Sequence, residues 1–172
     1  MKRTLKTYIF CLDDHKGFSE DVKKRFSDTS RYIVNIAHNR DEFFRQLDGE
    51  KDRKPCRVAI IGFHDTNESI ELTRKLVSEI KSNDRRAGVI IIHPPEKTEE
   101  IKRTLSYSAD SFIPRNNNTI LRIHNNVKKL ISEHNLQLYR RRRNLSFYIL
   151  ISLVILAAIF TLITWLRQPV YF

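Results

Sequence analysis

Scarce glycine, scarce cysteine and a complete lack of acid at one end define this 172-residue chain by exclusion. Its four glycines, Gly17, Gly49, Gly62 and Gly88, stand too far apart to form G-x-G-x-x-G or a Walker loop, which excludes the nucleotide enzymes built around such phosphate cradles. Its two cysteines, Cys11 and Cys56, lie in separate apolar runs with no C-x-x-C spacing. That excludes a disulfide framework and suits the buried, reduced thiols of a cytosolic domain. No repeat or low-complexity segment occurs. The last 33 residues hold no Asp or Glu, and Asn144 to Leu166 within them carry no charge of either sign.

That uncharged stretch is the plainest positive feature. As a helix its 23 residues extend roughly 34 Å, enough to cross the hydrocarbon core of a bilayer. It has no polar face, so a globular fold would have to surround it on every side. Arg140, Arg141, Arg142 and Arg143 flank one end only, which assigns that end and everything before it to the cytoplasm by the positive-inside rule. Tyr148 and Trp165 fall near the two interfaces, where aromatic rings are favoured. The N-terminal apolar run before Asp13 is too short for a signal peptide. The expectation is a single-pass membrane protein with a tail anchor. Residues 1–139 form a cytoplasmic domain, 140–143 a basic juxtamembrane segment, 144–166 a transmembrane helix and 167–172 a short tail.

The formal charge of +11 divides unevenly: 26 Lys+Arg against 20 Asp+Glu in residues 1–139, and five Arg against no acid in 140–172. Each juxtamembrane cation near anionic lipid contributes on the order of 1 kcal/mol, so lipid headgroups are the expected partner of the arginine run. The remaining excess is dispersed through the sequence and gives no nucleic-acid signature.

The first 139 residues, a usual size for one core, alternate short apolar runs with helical patterns. The strands are Thr7–Leu12, Tyr32–Ala37, Val58–Ile61, Val89–Ile92 and Ser111–Ile113. Between them Phe18, Val22 and Phe26, then Phe43, Phe44 and Leu47, then Ile70, Thr73, Val77 and Ile80 recur at helical spacing. Asn39 or Asp41 is placed to cap the second helix. Pro94-Pro95 ends the fourth strand and starts a helix through Ile101 and Leu105. The last helix begins near Thr119 and turns Ile120, Ile123, Val127, Leu130 and Ile131 inward. Five solidly apolar strands alternating with five helices predict an α/β fold, a parallel sheet covered on both faces, with functional groups at the carboxyl ends of its strands.

Those strand ends carry Asp13-Asp14 after the first strand and the run Ala109-Asp110-Ser111-Phe112-Ile113-Pro114-Arg115 through the fifth. With the five βα units, they make residues 6–135 resemble the receiver domain of bacterial response regulators, of flavodoxin-like, CheY-like fold. The resemblance implies an acid pair that binds Mg²⁺, a phosphoacceptor aspartate ending the third strand, a Ser/Thr ending the fourth and a lysine after the fifth. Here Gly62 stands at the phosphoacceptor position, His93 at the Ser/Thr position and Arg115 at the lysine position. Only Asp13 and Asp14 match. Asp65 follows three residues after Gly62 and would need another backbone path to substitute. The resemblance implies a pseudo-receiver without phosphotransfer, of two-component signalling type and bacterial inner-membrane location.

Asp13 and Asp14 offer oxygen ligands for Mg²⁺ at a weak site that lacks the third carboxylate; the alternative is an acid at a strand end with Arg115 as its partner. His15, His38, His64 and His93 each fall just past the end of one of the first four strands, so the topology brings them to one edge; ordinary loop histidines are the simpler account. The leading expectation is a non-enzymatic scaffold that docks cytoplasmic protein partners at the membrane, with no cofactor and with homo-oligomer formation through the last helix–strand face. The alternative is a membrane subunit or effector whose domain senses a ligand or partner and organises a transmembrane assembly. An enzyme working from the histidine–aspartate edge lacks an evident nucleophile and base.

Overall fold

The computed structural model describes residues 6–27, 30–49, 56–62, 69–105 and 108–167. Strands β1 (Thr7–Leu12), β2 (Tyr32–Ala37), β3 (Cys56–Gly62), β4 (Gly88–His93) and β5 (Ser111–Pro114) form one sheet in the order β2-β1-β3-β4-β5, every neighbour parallel. Helices α1 (Lys16–Ser27), α2 (Arg40–Gly49), α3 (Ser69–Asn83), α4 (Thr98–Leu105) and α5 (Thr119–Arg167) alternate with them. The predicted strands are all present. The third, fourth and fifth extend past the apolar runs, because ladder pairing continues through Arg57, Gly62 and His93, which apolarity alone does not mark.

Alternate strand residues enter two separate cores, as the two-residue repeat of a strand requires. Tyr8, Phe10, Ala59, Ile61, Val89 and Ile91 pack on one face with Phe43 and Leu47 of α2, Val77 and Ile80 of α3, and Ile101 and Leu105 of α4. Ile9, Cys11, Val58, Ile60, Ile90 and Ile92 pack on the other with Val22 and Phe26 of α1 and Ile123 and Val127 of α5. Both faces being covered is why these strands read as continuous apolar runs.

Asn39 caps α2: its Oδ1 accepts the Glu42 N–H at 2.8 Å, while the Glu42 carboxylate accepts the N–H of His38, the residue before the cap, at 3.2 Å. After β4, Pro95–Lys97 form a single 3₁₀ turn, and α4 proper starts only at Thr98. The proline pair therefore supplies an entry turn where the sequence suggested the helix itself. At the start of β4 a Cβ on Gly88 would meet Leu130 of α5 at 2.7 Å, so glycine there permits the helix to seat closely.

Two compact units divide the chain, Met1–Ser132 and Glu133–Phe172. Helical hydrogen bonding nevertheless continues as one element from Thr119 to Arg167, 49 residues. Within the second unit, Ser146–Thr164 is the one described helical segment long and apolar enough to cross a membrane; its mean hydropathy is 2.6 and none of it is buried.

Candidate functional site

The winding of the sheet reverses between β1 and β3, whose loops lead to helices on opposite faces, and ligands of such sheets bind in the crevice beyond those carboxyl ends. Leu12 lies opposite Ile61, so Asp13 is set beside Gly62 at that crevice. His93 ends β4 opposite Pro114, and Arg115 follows directly. The fold thus brings Asp13, Gly62, His93 and Arg115 to one edge, as the strand endings predict.

Their geometry departs from an open acid pocket. Asp13 is almost wholly buried, at 1% exposure. Its Oδ1 accepts the His15 N–H at 2.8 Å, and its Oδ2 accepts a hydrogen bond from Arg115 Nη2 at 2.5 Å. The guanidinium lies 5.1 Å from the centre of the Phe18 ring, a cation–π contact, and the Arg115 N–H donates to the His93 carbonyl at 2.7 Å. Arginine reaches across the crevice and ties the ends of β1, β4 and β5 to α1. Asp14, by contrast, is exposed.

Gly62 completes the arrangement. Its backbone needs no positive φ, so conformational freedom does not explain the glycine. Space does. A Cβ at this position would meet the Asp13 carboxylate oxygen and lie 2.7 Å from its Cγ and 3.2 Å from its Cβ. The Asp13 side chain therefore fills the volume that any side chain at 62 would need.

Buried charge also marks the neighbouring thiol. Burial pushes Cys11 up to about 12, and the negative charge of Asp13 adds to the effect. His93 is fully buried; its Nδ1 lies 2.8 Å from the Pro94 carbonyl and must carry the proton in that bond, while Nε2 has no partner among the described residues.

The donor set does not fit a divalent cation. One Asp13 oxygen holds a guanidinium and the other an N–H, and the adjoining strand end is Gly62, which has no side chain to offer a ligand. Arg115 supplies at this crevice the positive charge that a metal would bring. Among the described residues no three His, Cys, Asp or Glu side chains come together as a ligand set. His15 and His38 are exposed and His93 is enclosed, so the shared edge does not gather them into a cluster. His64 and Asp65 lie outside the described residues, as do the structural surroundings of Gln168 to Phe172. The arginine run falls within α5, with Arg140 and Arg143 exposed. Sequence reasoning missed Phe18 as the platform for Arg115. Its helical spacing with Val22 assigned it wholly to the core, and only its place in the first turn of α1, directly after β1, hinted that it sits at the crevice mouth.

Solved structures share this architecture. A response regulator from Thermotoga maritima is 19% identical with a TM-score of 0.59, over 74% of this chain and 99% of that one. A receiver domain protein from Clostridium thermocellum is 17% identical with a TM-score of 0.61, over 76% and 98%. A CheY-like receiver from Methanospirillum hungatei is 15% identical with a TM-score of 0.61, over 77% and 98%. No protein-family model and no curated protein matches the chain in sequence. The fold is that of a response-regulator receiver. Its crevice holds an arginine–aspartate pair and a glycine.

Proposed function

We propose that this chain is a membrane-anchored pseudo-receiver, a non-enzymatic signalling scaffold that presents a receiver-like domain to cytoplasmic partners without aspartyl phosphorylation. The observation that carries the reading is the filled crevice. The glycine at the phosphoacceptor position offers no carboxylate, the volume beside it is taken by Asp13, and Arg115 neutralises that acid in place of a metal. The receiver fold supports a role in signalling, and the exposed apolar segment Ser146–Thr164 supports attachment to a membrane with the domain on the arginine-rich, cytoplasmic side. Incubation of the full-length chain with acetyl phosphate and Mg²⁺ tests this directly: mass spectrometry should find no aspartyl phosphate, and a stable adduct on any aspartate would overturn the reading.

One feature favours the alternative role as subunit or effector of a transmembrane assembly. Helix α5 is a single element from Thr119 to Arg167, and no Gly or Pro interrupts it. An unbroken helix can carry a change of state at the domain into the bilayer, whereas a passive anchor needs no such continuity. Deleting Asn144 to Phe172 separates the two roles. A scaffold keeps its partner in pull-downs once the span is gone; an assembly subunit loses it.

A further inference from the structure

Basic residues that are scattered along the sequence gather at one edge of the folded domain. All five strands start at that edge, and the helices packed on them run back to it. Lys24 and Arg25 lie in the last turn of α1, Lys81 in that of α3, and Lys102 and Arg103 in that of α4. The opposite edge collects acid: Asp41 and Glu42 open α2, Glu71 opens α3, and Glu99 and Glu100 open α4. Complementarity to the helix dipole accounts for charges within terminal turns. It does not account for Lys6, Arg31, Arg85 and Arg86, exposed residues of the connections on the basic edge.

Among the described residues three acids offset them: Asp48 in the last turn of α2, where no base stands, and Asp84 and Asp110, which are engaged by Arg57 at 3.4 Å and Lys81 at 2.7 Å. Where α1 meets α5, His124 registers the local charge: burial first, then the positive charges of Lys128 and Arg25, hold it below its usual range. This is also the edge from which α5 leaves the domain. Seven residues, Glu133 to Tyr139, join Ser132 to Arg140, a short tether between the domain and the arginine run.

We propose that the strand-start edge of the receiver-like domain is itself a membrane contact, binding anionic phospholipid headgroups alongside the arginine run. The proposal rests on the membrane reading of Asn144–Leu166. Lipid is favoured over nucleic acid because only residues 133–143 join the domain to that apolar segment, so a chain anchored by it keeps these cations within tether reach of a headgroup surface. The charges are long, solvated side chains spread over several elements, which suits a diffuse anionic surface. Each contact of about 1 kcal/mol corresponds to roughly a fivefold change in occupancy.

The test uses the full-length chain in nanodiscs of phosphatidylcholine, alone or mixed with phosphatidylglycerol. Acylation of Lys23, Lys24 and Lys128 is followed by mass spectrometry. Labelling should be about fivefold slower or more in the anionic discs, should recover in high salt, and should be insensitive to lipid in Lys23→Glu/Lys24→Glu/Arg25→Glu, read at Lys128. Lys128→Glu alone, read at Lys23 and Lys24, should weaken the effect if the triple variant misfolds. Equal labelling in the two discs overturns the proposal, and so does protection by added RNA or duplex DNA where anionic lipid gives none. Carbonate extraction of native membranes reads the span separately. A chain that resists extraction yet labels equally sinks the lipid-binding edge alone; a chain that is extracted sinks the membrane reading with it.

Discussion

Replacing Gly62 by alanine adds one methyl group at the end of a strand, and ordinary expectation makes that favourable. Alanine restricts the unfolded chain, which is worth about 0.4–1 kcal/mol where the backbone is compatible, and the φ of Gly62 is compatible. The crevice reverses the sign. The new carbon would sit 2.7 Å from Asp13 Cγ, so the carboxylate must swing away. Because Asp13 is buried and holds Arg115 at 2.5 Å, that movement gives up a charge-assisted hydrogen bond in a confined space. Such bonds contribute about 1.5–3 kcal/mol, taken at the lower half here because Arg115 is 30% exposed, and overpacking adds about 1 kcal/mol. The net expectation is a loss of about 2 kcal/mol. Cys11 and Cys56, both buried in the domain, provide the assay. Pulsed alkylation across a urea series reports the unfolded fraction of the domain in detergent-solubilised full-length protein. In an Asp13→Ala background the same Gly62→Ala change should lose most of its cost, since the carboxylate is gone and only the contact with the Cβ of residue 13 at 3.2 Å remains. The reasoning fails if Gly62→Ala stabilises the wild-type chain, or if its effect is the same with and without Asp13.

Further outcomes follow from the same geometry. Arg115→Met keeps a stem over Phe18 but leaves Asp13 buried without its cation; it should cost about 2–4 kcal/mol, with part regained on adding Asp13→Asn, as read by the same urea midpoints. Gly88→Ala meets the Leu130 side chain, one methyl at 2.7 Å with Cγ at 3.3 Å and the second methyl at 3.4 Å; that flexible apolar chain can shift without losing an ion pair, so the cost should be about 1 kcal/mol and below that of Gly62→Ala. The two thiols predict alkaline weakening. Burial raises Cys11 from 9.0 to about 12 and Cys56 to about 11, so the unfolded chain releases these protons first as pH rises. Their contribution is complete below pH 9.0 and declines above it, at up to about 1.4 kcal/mol per pH unit for each thiol, until the folded values are reached. Urea midpoints on either side of pH 9.0 should fall more steeply in the wild type than in Cys11→Ala; equal slopes would contradict the assignment.

The scaffold was legible because every strand is buried on both faces. Ile9, Val58 and Ile90 serve one core while Phe10, Ala59 and Val89 serve the other, and such strands announce themselves as unbroken apolar runs. Strand ends put Asp13, Gly62, His93 and Arg115 at one edge, and it was the resemblance to receiver domains that singled them out there. What occupies the space between them was not legible. Whether Asp13 is solvated or sealed depends on the direction of one arginine side chain, and no periodicity encodes that. The charge pattern was missed for a related reason. Lys24, Arg86 and Lys102 are far apart in sequence and become neighbours in kind only when all helices return to the same edge.

The packing of Asp13 against Gly62 also makes this crevice resist any new side chain. An aspartate placed at 62 would put a second acid into occupied volume before anything had made way for it. Admitting it would need the first acid to retreat and the arginine to let go in the same step. Change at this edge therefore has to come as a coupled set, whereas exposed surfaces elsewhere on the domain accept substitutions one at a time.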